Sequence, residues 1–443
     1  MTASTPGWLR TKIRGRGGNP APHVFEGDDL AEMVLTTADG RPLAEALAVA
    51  QRRAKVRAFL LVVPLLAFIL ITFVSPIVQV LQQSVYNPKF SDAMPGLVAW
   101  FAANPVGTEP DEAAYAVLVG DLTAAAAVKS VAGAGERVNY ELPGTRSLFT
   151  AAGRKAKSLV PPFKAALIAV DPQWGDAQLW AVMRQVSHAW SADFFLAALD
   201  LQRDKDGAIV QVAEKERVYV GLFLRTFGMG AVITAICLLL GYPMAHLLAV
   251  LPVRRSNLLM ILVLLPFWTS LLVRTTSWIV LLQGQGVINS ILVAIGLIGN
   301  DGRFEMINNR TGTIIAMTHI LLPFMILPLY SVMRPIPQTY VRAARSLGAT
   351  SWTAFRRVYF PQTIPGIGAG TLLVFILSVG YYITPALVGG STGTLISNLI
   401  AFHVNKSNNW SLAAALATIL LVCILILYWL YDKIVGIDKL KLG

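Results

Sequence analysis

The 443-residue sequence predicts an all-α polytopic membrane protein. Three observations carry this: apolar residues make up 55% of the chain, charged residues only 14%, and the shortage of charge is concentrated in six long apolar runs that hold no acid. A soluble domain of this size carries about a quarter charged residues. An apolar run of about 18 or more residues crosses roughly 30 Å of hydrocarbon as a helix.

The runs cover residues 58–81, 220–249, 258–282, 312–332, 364–388 and 412–431. The first is preceded by more than fifty residues and is too long for a signal core, so it is expected to remain as an anchor. Residues 1–57 form a basic N-terminal segment, expected to be largely disordered at first, with a helical stretch over 43–57.

Orientation follows from Lys/Arg in the short loops, because basic residues are retained on the cytoplasmic side. With the N-terminus inside, the inner segments hold Arg52, Arg53, Lys55 and Arg57, then Arg254 and Arg255, then Arg334, Arg342, Arg345, Arg356 and Arg357, and finally Lys433, Lys439 and Lys441 in the tail 432–443. The short outer loops hold only Arg303, Arg310 and Lys406. Both termini are therefore placed in the cytoplasm, on the same side of the lipid bilayer. The net charge of +12 is accounted for by this topology signal. No basic stripe interleaves with aromatics as nucleic-acid binding requires, so no nucleic acid is expected.

Residues 82–219 form a long insertion between the first two spans, and the topology puts it outside. Ala-rich stretches such as 121–131 and aromatics including Trp174, Trp180, Trp190, Phe194 and Phe195 predict a small, mostly helical domain. Pro161-Pro162 and Asp171-Pro172 punctuate it as loop or helix-start signals. It has no cysteine and folds without disulfides. Two compatible readings are a cap packed on the outer helix ends and a docking surface for a soluble binding protein.

Phosphate-binding and metalloprotease motifs are missing: there is no G-x-x-x-x-G-K-[ST] phosphate loop and no H-E-x-x-H. Cys237 and Cys423 lie inside apolar runs and read as packing, and no His/Cys group has metal spacing. His246 and His319 fall within spans, where packing or interface contacts are the expectation.

The informative stretch is the inner loop 334–362. Tyr340 to Ala349 predicts a short helix with small residues, stopped by Gly348. A second basic helix over Trp352–Tyr359 follows, and Pro361 is expected to mark the turn into the fifth span. An ordinary basic inner loop would also satisfy topology. The spacing distinguishes the two: Ala343-Ala344, three residues, Gly348, nine residues, then Val358-x-Phe360-Pro361. This resembles the E-A-A, three residues, G, nine residues, I-x-L-P signature of permease subunits of binding-protein-dependent ABC importers. Arg342 stands where the family carries glutamate, which removes any ion pair that glutamate makes. Leu240-Gly241-Tyr242-Pro243, Pro266-Phe267-Trp268-Thr269-Ser270, Leu321-Leu322-Pro323-Phe324 and Thr384-Pro385-Ala386-Leu387 are similar to the spermidine/putrescine-type branch.

The resemblance implies the type I ABC importer permease fold: six transmembrane helices, with spans two to six as a common core over 220–431 and span one along its side. Its loop is the coupling element, represented here by Arg342, Ala343, Ala344, Arg345, Leu347, Gly348 and Pro361. The implied partners are two cytoplasmic ATPase subunits carrying ATP and Mg, a second permease subunit that is a different chain rather than a copy, and a periplasmic substrate-binding protein. This chain is then no enzyme and holds no cofactor. The solute is polyamine- or amino-acid-like.

Polar residues inside spans tend to face a pathway. The candidates are Trp268, Thr269 and Arg274 in the third span and Ser378, Tyr381, Tyr382 and Thr384 in the fifth. Arg274 is open to three readings: a solute carboxylate, a partner subunit, or snorkelling to the outer face. No Asp or Glu lies in any span, so a polycation would find no carboxylate in this chain. Pro243 and Pro385 are expected to break helices and free backbone groups. Gly366-x-x-x-Gly370 reads as a close helix contact. An ion-coupled secondary transporter and a membrane-anchored sensor are the alternatives. The first needs an ion site near the midplane, which acid-free spans disfavour; the second needs fewer polar-lined spans.

Overall fold

The computed structural model describes residues 43–204 and 207–435. Arg10, Lys12, Arg14 and Arg16, and the tail residues Lys439 and Lys441, lie outside the described residues. The chain divides into two compact units, Met1–Pro76 and Ile77–Gly443. The first unit contributes the helix Leu43–Ile69 and a wide π-helical turn, Leu70–Val74.

Six stretches among the described residues are long and apolar enough to cross a membrane: Ala50–Gln83, Tyr219–Val250, Leu271–Ala294, Arg310–Met333, Ser351–Gly380 and Trp410–Lys433. A further apolar pair, Glu112–Ala127 and Val131–Asn139, bends by 118° between its halves and lies inside the insertion's own core.

The second, fourth and fifth spans form the centre of the bundle. Ile233, Cys237, Met317, Leu321, Met325 and Val374 are fully buried between them. Cys237 packs there, with its thiol donating weakly to the Thr318 carbonyl at 3.6 Å. Glycine permits the close approach. A Cβ at Gly370 would meet the Met325 sulfur at 2.7 Å, and one at Gly366 would meet Val332 at 3.0 Å. The Gly366-x-x-x-Gly370 face therefore packs on the fourth span of the same chain.

Proline decides the helix limits, and in several places differently from the sequence expectation. The run 258–282 is two helices, Val253–Trp268 and Leu271–Leu282, parted by extended Thr269 and Ser270. Pro266 removes one amide from the last turn of the first helix and weakens its end. The run 364–388 is likewise interrupted. Its helix Phe360–Gly380 stops at Tyr381 and restarts as Ile383–Val388. Pro385 cannot donate to the carbonyl four residues back, that of Tyr381, which instead accepts Ser397 Oγ at 2.6 Å. The neighbouring Tyr382 carbonyl accepts the Asn398 amide at 2.6 Å. Pro243, by contrast, sits inside the unbroken Tyr219–Val250 helix. Pro361 does not mark a turn either: helix continues from Ser351 to Gly380, with a π-helical segment at Phe355–Tyr359 absorbing the missing donor.

The insertion is helical from Pro95 to Ala198 and ends in a two-stranded antiparallel hairpin, Leu201–Arg203 with Ile209–Gln211. Its core is built on Trp174, whose carbonyl accepts both the Tyr115 hydroxyl at 2.8 Å and the Trp180 indole at 2.9 Å. Asp121 caps the Pro95–Ala103 helix through the amides of Gly96 and Leu97. Pro162 precedes one helix, and Asp171 caps the following short turn through Gln173.

This domain is fastened to the membrane bundle at three points. Asp200 accepts the amides of Val218, Tyr219 and Val220, capping the second span. The Asn87 amide donates to Ser411 at the start of the sixth span at 2.9 Å. Glu136 and Tyr140 hold Asn408. Phe194 and Ala198 of the insertion share an apolar cluster with Leu222, Leu412 and Leu416 of the spans. The insertion thus packs as a cap on the helix ends; its capacity to dock a second protein is a separate matter.

Candidate functional site

Two regions carry the residues singled out from sequence. The first lies at the end of the bundle away from the insertion. Arg334 leaves the fourth span and donates to the carbonyls of Ala249 and Leu251 at 2.7 and 3.0 Å, tying that end to the end of the second span. The chain then forms the helix Gln338–Ser346.

Gly348 ends that helix with a φ of +91°, a conformation that a Cβ disfavours. Its amide donates to Arg345, and the Ala349 amide to Ala344, at 3.0 and 3.1 Å. This pair of bonds is a Schellman stop, which satisfies the last carbonyls of the helix and sets the exit direction of the chain. Thr350 caps the next helix by accepting the Thr353 amide at 3.2 Å.

Aromatic packing seats this second helix on the second span. Phe355 and Tyr359 meet the His246 ring at 6.2 and 5.0 Å, and the Tyr242 hydroxyl pairs with Thr363 Oγ1 at 3.1 Å. His246 is thus a packing residue. The loop's outer surface is left free within this chain: Arg342, Ala343, Arg345, Gly348 and Pro361 are exposed, and Leu347 is 89% exposed. No acidic residue occurs between Glu305 and Asp432, and none of the four arginines 342, 345, 356 and 357 forms an ion pair among the described residues. A rigid, basic platform with one projecting leucine results.

The second region lies where the two interrupted spans meet. Thr275 Oγ1 and Thr384 Oγ1 are 3.3 Å apart, joining the helix after the Thr269–Ser270 break to the helix after the Tyr381–Tyr382 break. Arg274 is half-buried beside them, and its charge acts on both His319 and Tyr381. Trp278 Nε1 donates to His319 Nδ1 at 3.2 Å. Tyr382 is exposed, as are Trp268 and Thr269 at the first break. Ser378 is not part of this group: it is buried, donates to the Phe375 carbonyl, and faces Gly230 of the second span. Trp278 belongs to the cluster yet attracted no notice in sequence, where tryptophan in an apolar run signals only packing.

A polytopic helical bundle with a helical insertion, a basic loop platform at one end and two broken spans in contact is an architecture suited to a membrane permease. The chain belongs to the family described as "Binding-protein-dependent transport system inner membrane component", whose profile matches residues 237–435. The spermidine/putrescine transport system permease protein PotB of Haemophilus influenzae is 35% identical over 222 residues, covering 49% of this chain and 77% of that protein. The inner membrane ABC transporter permease protein YdcU of Escherichia coli is 31% identical over 225 residues, covering 48% of this chain and 71% of that protein. Among solved structures, a bacterial alginate ABC transporter in complex with an alginate pentasaccharide-bound periplasmic protein is 20% identical with a TM-score of 0.40, covering 50% of this chain and 81% of that one.

Proposed function

We propose that this permease is one of two membrane subunits of an ATP-driven importer, and that its energy comes from two ATPase subunits docking on the 334–362 loop from the cytoplasm. ATP and Mg would be bound by those subunits. The second permease is a different chain, and a periplasmic binding protein delivers the solute on the insertion side, with both termini of this chain in the cytoplasm. The loop platform is the observation that supports this reading most strongly. Its Schellman stop and aromatic seating fix its shape well enough to transmit a push, and its arginines and Leu347 are exposed, with no partner surface among the described residues.

ATPase closure would move the two loops together, and each loop would drag the second and fifth spans to which Tyr242, His246 and Tyr359 connect it. The broken spans around Arg274, Thr275, Tyr381 and Thr384 are the proposed solute path, because unwound backbone is tolerated at membrane depth only where it faces protein or a cavity. The names of the relatives favour a polyamine, while acid-free spans leave an amino-acid-like solute equally open.

Co-purification from a membrane extract tests the reading. The tagged chain should bring down an ATPase subunit, and Leu347→Asp should lose it while the chain still inserts in the membrane. Uptake that persists with no ATPase bound would overturn the proposal.

A further inference from the structure

Arg274 is a half-buried cation, two of whose guanidinium nitrogens lack an acceptor. Its Nε and Nη1 atoms are shielded from solvent and have no hydrogen-bond partner among the described residues. The four ion pairs among the described residues, made by Lys89, Arg137 and Arg203, all lie in the insertion. The spans hold a single acid, Asp432 in the last turn of the sixth, and no carboxylate among the described residues pairs with Arg274.

The neighbouring acceptors are neutral and already engaged at least in part. His319 Nδ1 accepts from Trp278, which leaves the ring's Nε2–H as one more donor. The Tyr381 carbonyl accepts Ser397 Oγ, and Thr275, which donates to the Leu271 carbonyl, pairs with Thr384. The place where the two broken spans meet therefore offers Arg274 no anionic acceptor. A buried charge lacking its partner is strongly destabilising, whereas an apolar residue of the same volume is not. Such a group persists when its partner arrives from elsewhere.

We infer that Arg274 receives a carboxylate brought from outside this chain, carried either by the transported solute or by the companion permease subunit. The inference rests on the permease reading above and sharpens it. A solute answering Arg274 would bear a carboxylate as well as an amine, and an amine-only polycation would need the companion's acid to neutralise Arg274 first.

The test compares Arg274→Met with wild type, first as the full chain in detergent and then in the co-expressed transporter. In the isolated chain, removing an unanswered buried charge should raise the melting temperature; a structural arginine would show the opposite, and a lowered melting temperature overturns the inference. In the transporter, one of two losses should follow. If the companion supplies the carboxylate, recovery of the complex with the second permease falls by about tenfold or more. If the solute supplies it, 5-aminovalerate at millimolar concentration raises the melting temperature of wild type and not of Arg274→Met. The diamine of the same carbon-chain length, 1,5-diaminopentane, then raises neither. A variant with a raised melting temperature, full assembly and an unchanged response to 5-aminovalerate also overturns the inference. Failure of any ATPase to co-purify with wild type would count against the importer reading alone, since the melting comparison does not depend on it.

Discussion

The Asn408 side-chain amide donates to the Glu136 carboxylate at 2.9 Å, joining the insertion to the loop that enters the sixth span. Glu136 also faces Lys89 at 3.4 Å, and the single Tyr140 hydroxyl hydrogen is shared between Glu136 Oε1 at 2.8 Å and the Asn408 carbonyl at 2.9 Å. One carboxylate thus organises a junction between residues 272 positions apart.

Burial alone would raise the Glu136 carboxyl, but the Tyr140 hydroxyl, the Lys89 ammonium and the Asn408 amide together outweigh it and hold the pKa below its ordinary value. A depressed folded-state pKa contributes stability that is present above the unfolded value of about 4.3 and lost as pH falls through the folded value. Glu136→Gln should therefore cost about 1–3 kcal/mol at neutral pH. That difference from wild type should shrink below the ordinary glutamate range. Thermal melts of the detergent-solubilised chain at several pH values would measure it, and a pH-independent difference would refute the assignment.

Asp200 caps the second span with three accepted amides. Asp200→Ala leaves these donors without a side-chain acceptor and should destabilise the chain by about 1–2 kcal/mol. Asp200→Asn keeps one acceptor oxygen and should recover part of the loss. Limited proteolysis between the hairpin and Tyr219 would report the fraying directly.

Gly348 is held at a φ of +91° in the Schellman stop. Gly348→Val should cost about 1–2 kcal/mol locally and, more importantly, redirect the chain between the two loop helices. The expected outcome is ATP hydrolysis by the assembled transporter with little uptake, at normal membrane levels of the chain. Coupled transport at the wild-type ratio would show that the stop is dispensable.

The Gly370 contact predicts a different failure. A side chain there meets the Met325 sulfur and backbone of the fourth span. Gly370→Leu should cost about 1–3 kcal/mol or more through overpacking, lowering membrane yield before any effect on ATP turnover. Gly380→Ala, where a Cβ meets nothing within 4 Å, serves as the matched control.

Much of this protein is legible in its sequence because the signals are local. Hydropathy over about 18 residues marks six spans without knowledge of their neighbours. The Ala343-Ala344, Gly348 and Pro361 spacing marks the loop, because a helix stop at glycine depends on one residue's backbone freedom. The Arg274 environment was only half legible. The arginine and the missing acids could be counted, but the committed acceptors around it are contributed by residues up to 109 positions apart.

The prolines show where local signals end. Pro243, Pro361 and Pro385 each remove one donor, and nothing in the sequence beside them says which will break a helix. Tertiary structure decides. The carbonyl freed by Pro385 is answered by Ser397, so the fifth span can open at Tyr381, while the helix around Pro361 absorbs its loss in a π-helical turn. The sequence by itself determined the membrane class, the number of spans and the loop. Only the folded chain decided that two of those spans are interrupted, that the interruptions meet at Thr275 and Thr384, and that a half-buried arginine without an ion-pair partner lies beside them. A helix break is stable only where a distant residue satisfies the backbone it exposes.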